Sequence, residues 1–236
     1  MNNCAVCVYR ESGPFGKLSD KALTELSRSF AMRCYRGGEI IFYQGDPLED
    51  FYFLCGGTVK LVRETPGGKQ SIVNIVGPCG WFGELSFSSG AVQSVTAEAV
   101  QAAVVNSIHR PAMAEVFQQE PGLLLEMMEK LSVLLRKAWA HNAELAHQPV
   151  RLRALNLLVR LFDRYGRREN GHWVLGIPLA RADLAEMLGA TPETTIRTLA
   201  QLQREGHLRL GRRRISLADP EGFRSLSERE SLAVRG

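Results

Sequence analysis

Apolar residues in the segment 181–208, RADLAEMLGATPETTIRTLAQLQREGHL, recur with the spacing of two short helices separated by a turn. In the first helix, Leu184 and Leu188 lie four residues apart and therefore share one face. In the second helix, Leu199 and Leu202 lie three residues apart and also share a face. The pattern predicts two amphipathic helices that each turn one apolar face inward.

The residues between these helices predict a tight turn. Gly189 ends the first helix, because glycine readily adopts the positive φ found at helix C-termini. Thr191 offers an N-cap hydroxyl to the second helix, and Pro192 stands at the first helical position, where its missing N–H costs no hydrogen bond. This arrangement is typical of a helix-turn-helix, whose second helix enters the DNA major groove.

The outer face of the second helix carries Glu193, Ile196, Arg197 and Ala200. The guanidinium of Arg197 is suited to bind guanine O6 and N7 as a fork, and the carboxylate of Glu193 to accept a hydrogen bond from cytosine N4. These two side chains, one turn apart, are therefore candidates to read one G·C pair together. The alternative is an i,i+4 ion pair on a solvated surface, worth only a few tenths of a kcal/mol.

Two short alternating stretches follow this helix in HLRLGRRRISLAD and meet at Gly211. Arg212 and Arg213 come directly after that glycine, so the segment predicts a β-wing that presents cations to phosphates. Residues 149–236 hold sixteen arginines, no lysine and ten carboxylates, a net charge of +6, whereas residues 1–148 carry −2 and the whole chain +4. A basic C-terminal module on a slightly acidic body is typical of nucleic-acid binding.

From about residue 33 to residue 107 the pattern changes to short runs of β-branched and aromatic residues separated by glycine turns. The runs include EIIFYQGD, FYFLCGG, TVKLVRE, SIVNIVG and WFGELSF. Strands spaced this closely predict an antiparallel β-roll, which can hold one small ligand. The segment 18–30 predicts a short amphipathic helix before it. We place the roll, a sensor or effector domain, at residues 15–110.

Residues 111–147 return to a helical pattern with a regular seam. Its members are spaced alternately four and three residues apart, as in a coiled coil: Leu124, Met128, Leu131, Leu135, Ala138, Asn142 and Leu145. Such a seam predicts a parallel homodimer in which Asn142 sets the register, and the alternative is a helix packed on its own roll. We place the dimerisation helix at residues 111–148 and its end at Pro149.

The winged helix-turn-helix domain is predicted over residues 149–222. Its first helix covers 150–165, with four residues expected to face inward: Leu155, Leu158, Val159 and Phe162. GRRENGHW is expected to be a polar turn, WVLGIPLA a short strand, and the last dozen residues a loose polar tail. The predicted fold class is therefore α+β: an antiparallel β-roll, a long dimerisation helix and a C-terminal winged helix-turn-helix.

Composition and local sequence argue against several classes of protein. No apolar run is long enough to cross a bilayer, and the N-terminus lacks the basic and apolar regions of a signal peptide. A cytoplasmic protein without membrane attachment is therefore expected. No nucleophile–base pair, phosphate-binding glycine loop or complete metal-ligand set stands out, which argues against an enzyme. The five cysteines are expected to be reduced thiols or metal ligands.

The order of roll, long helix and winged helix-turn-helix resembles that of the CRP/FNR family of bacterial transcription regulators. Three stretches carry the resemblance, which spans roughly residues 15–220: GDPLEDFYFLCGGTVKL, WFGELSFSSG and LARADLAEMLGATPETTIRTLAQLQREGHL. The resemblance implies a homodimeric protein that binds double-stranded DNA, contacts RNA polymerase, and responds to a signal sensed by the roll or by cysteines.

The resemblance also implies roles within the helix-turn-helix. Glu193 and Arg197 match the base-reading glutamate and arginine of the family. Three positions match residues that hold phosphates: Arg181, Thr191 and Thr194. Pro192 replaces a second base-reading arginine of cyclic-AMP-responsive members and has no donor to offer, whereas Ile196 is suited to contact a thymine methyl. The implied site is a palindrome with TTGA-like rather than GTGA-like half-sites.

At the sensing end the sequence departs from cyclic-nucleotide-binding members of the family. Their site combines a Gly-Glu-Leu segment with an Arg-Ser pair that grips the cyclic phosphate, and a residue of the long helix meets the adenine. The matching residues here are Gly83, Glu84, Leu85, Gln93, Ser94 and Arg136. Because glutamine is neutral, Gln93 cannot replace a guanidinium–phosphate bond, and cyclic AMP is not the expected effector. The alternative for Glu84 is a structural carboxylate that accepts backbone N–H bonds.

Cys4 and Cys7 suggest a competing sensor. Their C-x-x-C spacing suits a metal or an iron–sulfur cluster and resembles the start of the cluster motif of FNR-type members. The fourth ligand position of that motif falls near residues 105–106, which are not cysteines. A metal or cluster site, a redox-active thiol pair and two cysteines on a mobile tail therefore remain as alternatives, beside a small organic effector in the roll.

Two functions of different class follow from these patterns. The first is a homodimeric transcription regulator that reads a palindromic site under the control of a sensed signal. The second is a signalling protein whose roll binds a cyclic nucleotide and whose C-terminal domain mediates protein interaction. The charge distribution and the placement of Glu193 and Arg197 favour the first.

Overall fold

The computed structural model describes residues 15, 18, 24, 26–84 and 86–234. Within this part, an antiparallel roll, a long helix and a winged helix-turn-helix follow one another in the predicted order. The chain divides into two compact units, residues 1–136 and 137–236. The division between the units therefore falls inside the long helix, upstream of Pro149.

The first unit is built from eight strands in its described part. They are β1 (Phe30–Tyr35), β2 (Ile40–Phe42), β3 (Asp50–Gly56), β4 (Val59–Glu64), β5 (Gln70–Val76), β6 (Trp81–Phe82), β7 (Thr96–Ala99) and β8 (Ala103–His109). They form two four-stranded sheets, in the orders β1-β8-β3-β6 and β2-β7-β4-β5, with antiparallel pairing throughout.

Strand β3 shows how the sequence pattern builds the roll. Successive side chains of a strand point to opposite faces. Phe51 and Phe53 accordingly join one apolar cluster, whereas Leu54 joins a second cluster inside the roll. The run FYFLC is apolar at every residue because both faces of this strand are covered.

Of the helix expected over residues 18–30, the structure describes only part. Thr24 and residues 26–28 are helical, and β1 already begins at Phe30. The expected helix therefore ends earlier than the pattern suggested, and its remaining residues lie outside the described part of the chain.

Two helices, rather than one, follow the roll: α1 (Arg110–Gln119) and α2 (Pro121–His147). The helical pattern over 111–147 is interrupted at Glu120 because Pro121 lacks the N–H needed to continue the ladder. The break leaves α2 as a single helix of 27 residues.

The buried face of α2 differs from the predicted seam by one residue. Leu123 and Met127 pack in the apolar cluster that also contains Phe51 and Phe53 of the roll. The seam residue Met128 is 54% exposed, and Leu135 is 49% exposed. The first part of α2 thus packs on the roll with one face, which the seam residue Leu124 borders, and keeps Met128 and Leu135 at the surface.

The second unit contains four further helices and four strands. In chain order they are α3 (Val150–Tyr165), β9 (Gly166–Glu169), β10 (His172–Leu175), α4 (Arg181–Leu188), α5 (Pro192–Arg204), β11 (Arg209–Gly211), β12 (Arg214–Leu217) and α6 (Pro220–Ala233). The strands form one antiparallel sheet in the order β11-β12-β10-β9.

The inward face of α3 is wider than predicted. Leu155, Leu158 and Phe162 are buried, as expected, but Val159 is only half-buried. Four more residues of this helix are buried: Leu152, Ala154, Leu157 and Leu161. The helix is covered on more than one side, because α4, α5, α6 and the sheet all contact it.

The prediction of a polar turn in GRRENGHW was wrong. This segment forms the hairpin β9–β10, whose tip is Asn170–Gly171. Both tip residues have positive φ, at 49° and 80°. Asn-Gly is a strong signal for a two-residue hairpin, so the sequence did contain the information.

The prediction of a loose tail was also wrong. Residues 220–233 form α6, which is capped by the Asp219 carboxylate accepting a hydrogen bond from the Gly222 N–H at 2.9 Å. Phe223 and Ser227 are buried, and α6 contacts α3. The domain end expected at residue 222 therefore lies inside a packed helix.

Candidate nucleic-acid interface

The turn between α4 and α5 has the predicted geometry. Gly189 adopts φ 57° and ψ 42°, and its N–H donates to a carbonyl of the last turn of α4. The Thr191 hydroxyl oxygen accepts a hydrogen bond from the Thr194 N–H at 3.2 Å. Pro192 is the first residue of α5. The cap and the glycine together fix the start of the second helix.

The base-reading candidates project from α5 into solvent. Glu193 and Arg197 are exposed, and Ile196 is 52% exposed. Among the described residues, no ion pair joins Glu193 to Arg197 or ties either one to another side chain. The alternative of an i,i+4 surface pair is thus not formed, and both groups remain available to a ligand.

The opposite face of α5 is packed. Thr195, Thr198, Leu199 and Leu202 are buried there. The Thr198 hydroxyl donates to the Thr194 carbonyl at 2.8 Å, which satisfies one buried polar group within the helix. This packing holds the exposed face of α5 in one orientation.

Arg181 lies at the start of α4 and contacts the wing. Its Nη2 donates to the Gly211 carbonyl at 3.1 Å, and burial lowers the pKa of its guanidinium. Asp183 caps the same helix by accepting a hydrogen bond from the Ala180 N–H at 2.7 Å. The phosphate contact expected of Arg181 stays a prediction, and the structure adds a link between α4 and the β11–β12 hairpin.

The predicted β-wing is the hairpin β11–β12. Arg212 and Arg213 form the tip of this hairpin, and both are exposed. Arg213 has φ 51°. Arg214, the third arginine of the run, instead pairs with Glu169 of β9 at 3.2 Å. Among the described residues, Arg212 and Arg213 form no ion pair, so two of the three cations at the tip are unpaired.

Arg153, from a distant segment, also lies beside the turn of the helix-turn-helix. Its Nη1 lies 3.8 Å from the point where a Cβ on Gly189 would stand, so its guanidinium borders the turn between α4 and α5. No local pattern marks this residue, because only the packing of α3 brings it to the turn.

In the roll, the expected effector residues lie together around Gln93. Gly83 has φ 88°, and a Cβ there would stand 3.8 Å from both polar atoms of the Gln93 amide. Gln93 is 1% exposed, and neither atom of its amide has a hydrogen-bond partner among the described residues. Glu84 accepts a hydrogen bond from the Ser94 N–H at 3.0 Å, which agrees with the structural role considered for this carboxylate.

Of the other expected sensor residues, the structure describes only Arg136. Arg136 is exposed on α2, and its guanidinium lies 3.5 Å from Glu129. Leu85, Cys4 and Cys7 lie outside the described residues. Within the described residues, His, Cys, Asp and Glu side chains form no group of three or more that is arranged to hold a metal ion. In the same part of the chain, no helix is both long and apolar enough to cross a membrane.

Comparison with known proteins agrees with this architecture. Residues 32–120 match the cyclic nucleotide-binding domain, and residues 153–226 match the Crp-like helix-turn-helix domain. A cyclic AMP receptor protein of Thermus thermophilus is 30% identical over 184 residues, which cover 77% of this chain and 81% of the relative. The chain belongs to the CRP/FNR family of transcription regulators.

Two further comparisons support the assignment to the CRP/FNR family. A CRP-like cAMP-activated global transcriptional regulator of Mycobacterium tuberculosis is 25% identical over 91% of this chain and 96% of its own length. The crystal structure of a CRP/FNR-family transcriptional regulator from Thermus thermophilus superposes with a TM-score of 0.70 at 26% identity, covering 84% of this chain and 98% of that one. As a CRP/FNR-family regulator, the protein carries its DNA-binding domain in the helix-turn-helix.

Proposed function

We propose that this protein is a homodimeric regulator that reads a palindromic DNA site with TTGA-like half-sites. The observation that carries the proposal is the exposed, unpaired placement of Glu193 and Arg197 one turn apart on the capped helix α5. In a helix-turn-helix, such side chains meet base edges in the major groove. Arg197 would bind guanine as a fork, and Glu193 would accept from the paired cytosine.

Neighbouring residues of α5 narrow the sequence that is read. Pro192 offers no donor, so guanine at the additional base pair is not selected. Ile196 is half exposed and is suited to contact a thymine methyl. Phosphates would be held by two groups of residues: Thr191 and Thr194 at the helix start with Arg181, and Arg212 and Arg213 at the wing tip.

The exposed face of α2 supports the homodimer. Beside the seam residues Met128 and Leu135, Leu125 is 67% and Trp139 63% exposed. Apolar side chains of this size, aligned along one helix, are typical of a surface that a second copy covers. Two copies related by a two-fold axis place their recognition helices on half-sites about one helical turn apart.

Control of DNA binding is assigned to the first unit. The buried amide of Gln93 has a donor and an acceptor to offer but no charge, which fits a neutral small effector better than a cyclic phosphate. An iron–sulfur cluster on Cys4, Cys7 and further ligands is the competing sensor. RNA polymerase is the partner expected of such a regulator, and the cytoplasm its place of action.

The DNA-binding part of the proposal is tested by selection from randomised duplexes, followed by Arg197→Ala. We expect convergence on a TTGA-containing palindrome, and a loss of about 1–3 kcal/mol on that site with little change on unrelated DNA. Equal loss on both duplexes would contradict base reading by Arg197. Failure of the selection to converge would favour a signalling protein with a protein-interaction module.

The proposal of a neutral effector is tested by measuring cyclic AMP binding to the unchanged protein and to the variant Gln93→Arg. Calorimetric titration should detect no saturable binding of cyclic AMP to the unchanged protein and measurable binding to Gln93→Arg, because the guanidinium restores a charge-assisted bond to the phosphate. Saturable binding by the unchanged protein would refute the neutral-effector assignment. An absorption spectrum of protein purified without oxygen tests the cluster, which would give a visible band that bleaches in air.

A further inference from the structure

One arginine joins three helices of the second unit. The Arg151 Nη1 and Nη2 donate to Glu205 Oε1 and Oε2 at 3.0 and 2.7 Å, which forms a two-bond fork. The Nε of the same guanidinium donates to both carboxylate oxygens of Glu230, at 3.0 and 3.2 Å. Arg151 belongs to α3, Glu205 is the C-cap of α5, and Glu230 belongs to α6.

The fork meets α5 at the end opposite to its base-reading residues. A carboxylate at a helix C-terminus is unfavourable, because the helix dipole is negative there. The hydrogen bonds from Arg151, together with the Gln201 amide, which donates at 2.9 Å, outweigh desolvation and lower the pKa of Glu205. Glu205 is thus held ionised and directed toward α3.

The fork also depends on α6. Glu230 occupies the Nε side of the guanidinium and so fixes the plane in which the two Nη groups point. A lysine ammonium is a single point donor and cannot hold both carboxylates in this planar arrangement. The C-terminal helix, which the sequence had suggested to be loose, therefore completes a contact to the recognition helix.

Other contacts hold α6 on α3 without touching α5. Arg224 pairs with Asp163, and the Ser227 hydroxyl donates to Asn156 Oδ1 at 2.6 Å. These contacts provide a matched control, because they anchor the same helix but do not reach α5.

We propose that Arg151, held by Glu230 of α6, is a positioning residue that fixes the angle at which α5 presents Glu193 and Arg197 to DNA. Base-edge recognition requires side chains to be placed to within about half an ångström, which a single capped end does not ensure. The Thr191 cap fixes where the helix begins, and the Arg151 fork holds its other end to α3 and α6. This inference rests on the function proposed above.

The test compares three variants on two duplexes: Arg151→Lys, Glu230→Gln and, as the control, Arg224→Gln. Fluorescence anisotropy at several salt concentrations gives the affinity for the selected palindrome and for a scrambled duplex. We expect Arg151→Lys to weaken binding to the palindrome by about tenfold or more and to the scrambled duplex by less than about twofold. Glu230→Gln should act in the same direction, and Arg224→Gln should leave the ratio of affinities unchanged.

The salt dependence separates positioning from direct contact. Arg151 touches no phosphate in the proposal, so the slope of affinity against salt should stay the same in the charge-removing variant Arg151→Gln, whereas a lost phosphate contact lowers it by about one. A parallel loss on both duplexes, or a loss of specificity in Arg224→Gln as large as in Arg151→Lys, would overturn the proposal. The proposal would also be overturned if both Arg151→Lys and Glu230→Gln kept the full preference for the palindrome over the scrambled duplex.

Hydrogen exchange keeps this inference distinct from the proposed function. Amides of residues 201–205, in the last turn of α5, should exchange faster in Arg151→Lys and Glu230→Gln but not in Arg224→Gln. If the unchanged protein shows no preference for any palindrome, the proposed function fails while exchange still reports whether Arg151 holds α5. Unchanged exchange in all three variants would remove the structural basis of the inference.

Discussion

The recognition helix and the roll present their key polar groups in opposite ways. Glu193 and Arg197 project from α5 into solvent, whereas Gln93 in the roll is 1% exposed and has no hydrogen-bond partner for its amide among the described residues. The first pair is accessible to a large partner such as DNA. The amide of Gln93 is accessible only to a group that enters the roll or to a rearranged neighbour.

This difference suggests how the tasks are divided. The second unit holds α5 with a side-chain N-cap, a packed face and ion pairs, so its DNA-facing side chains need little rearrangement on binding. In the roll, burying the Gln93 amide without a hydrogen-bond partner costs free energy. A bound effector that hydrogen-bonds to this amide would remove that cost. Recognition is therefore expected to be preformed in the second unit and regulation to arise in the first.

The largest predicted effect compares one glycine from each unit. Gly57 has φ 88°, and a Cβ there would stand 2.2 Å from the Ala102 carbonyl oxygen, which is backbone and cannot move aside. Gly57→Ala should cost about 3–5 kcal/mol of unfolding free energy. Gly189 has φ 57°, and the nearest atom to its Cβ would be the flexible end of Leu145, so Gly189→Ala should cost about 1 kcal/mol.

Urea unfolding of both glycine variants, followed by circular dichroism, measures the difference. Gly38 is a suitable control, because it has φ 88° and no atom within 4 Å of its Cβ position. Gly38→Ala should lose only the conformational term of about 1–2 kcal/mol. If Gly57→Ala loses no more unfolding free energy than Gly38→Ala, the backbone of the roll must shift at this turn to make room for the Cβ.

The sequence predicted local features better than contacts between distant segments. Gly189, Thr191 and Pro192 act on their own neighbours, and the structure confirms all three roles. The burial of Gln93 and the pairing of Ser227 with Asn156, 71 residues apart, depend on long-range packing that leaves no local pattern. The helix α6 was missed because it has few apolar residues and is held largely by polar contacts.

The two segments whose structure was predicted wrongly both carried local signals. The Asn170–Gly171 hairpin and the Asp219 cap followed rules that the sequence displayed. The seam of α2 is a different case. The roll covers Leu123 and Met127 beside it, but periodicity cannot distinguish a face packed on the roll from a seam covered by a second copy, so the dimer stays a prediction.

The second prediction concerns the seam of α2, which the proposal leaves to a second copy of the chain. Leu135→Glu should raise the dimer dissociation constant by about 100-fold, or ~3 kcal/mol, because each dimer would bury two unpaired carboxylates. Ala140→Glu makes the same charge change at an exposed position on another face of α2 and should leave the dimer intact. Sedimentation velocity measures the dimer dissociation constant of both variants. Equal dissociation constants for the two variants would exclude this seam as the dimer interface.

The third prediction concerns the cap of the recognition helix. Thr191→Ala removes the acceptor for the Thr194 N–H and should cost about 1 kcal/mol of stability. Thr191→Ser keeps the hydroxyl and should restore most of that loss. Urea unfolding gives the stability of both variants. If the serine variant is as unstable as the alanine variant, the methyl group rather than the cap hydrogen bond is responsible.

The smallest predicted effect is a pH dependence within the second unit. Burial raises the pKa of Glu144, but hydrogen bonds from His141 and Arg160 outweigh it, and the net pKa is lowered. A carboxyl whose folded pKa is lowered adds stability above its unfolded pKa, and this stability is lost as the pH falls through the folded pKa. The Arg160 fork, at 2.7 and 3.1 Å, should therefore contribute near neutral pH and not in acid.

Arg160→Met measures this contribution. Because the Arg160 side chain is 48% exposed, the expected loss is only about 0.5 kcal/mol near neutral pH. The loss should disappear at a pH below the lowered folded pKa of Glu144, where this carboxyl is protonated in both the folded and the unfolded state. Urea unfolding at the two pH values decides the point. A loss that persists unchanged in acid would mean that the methylene groups of Arg160, rather than its charge, stabilise the second unit.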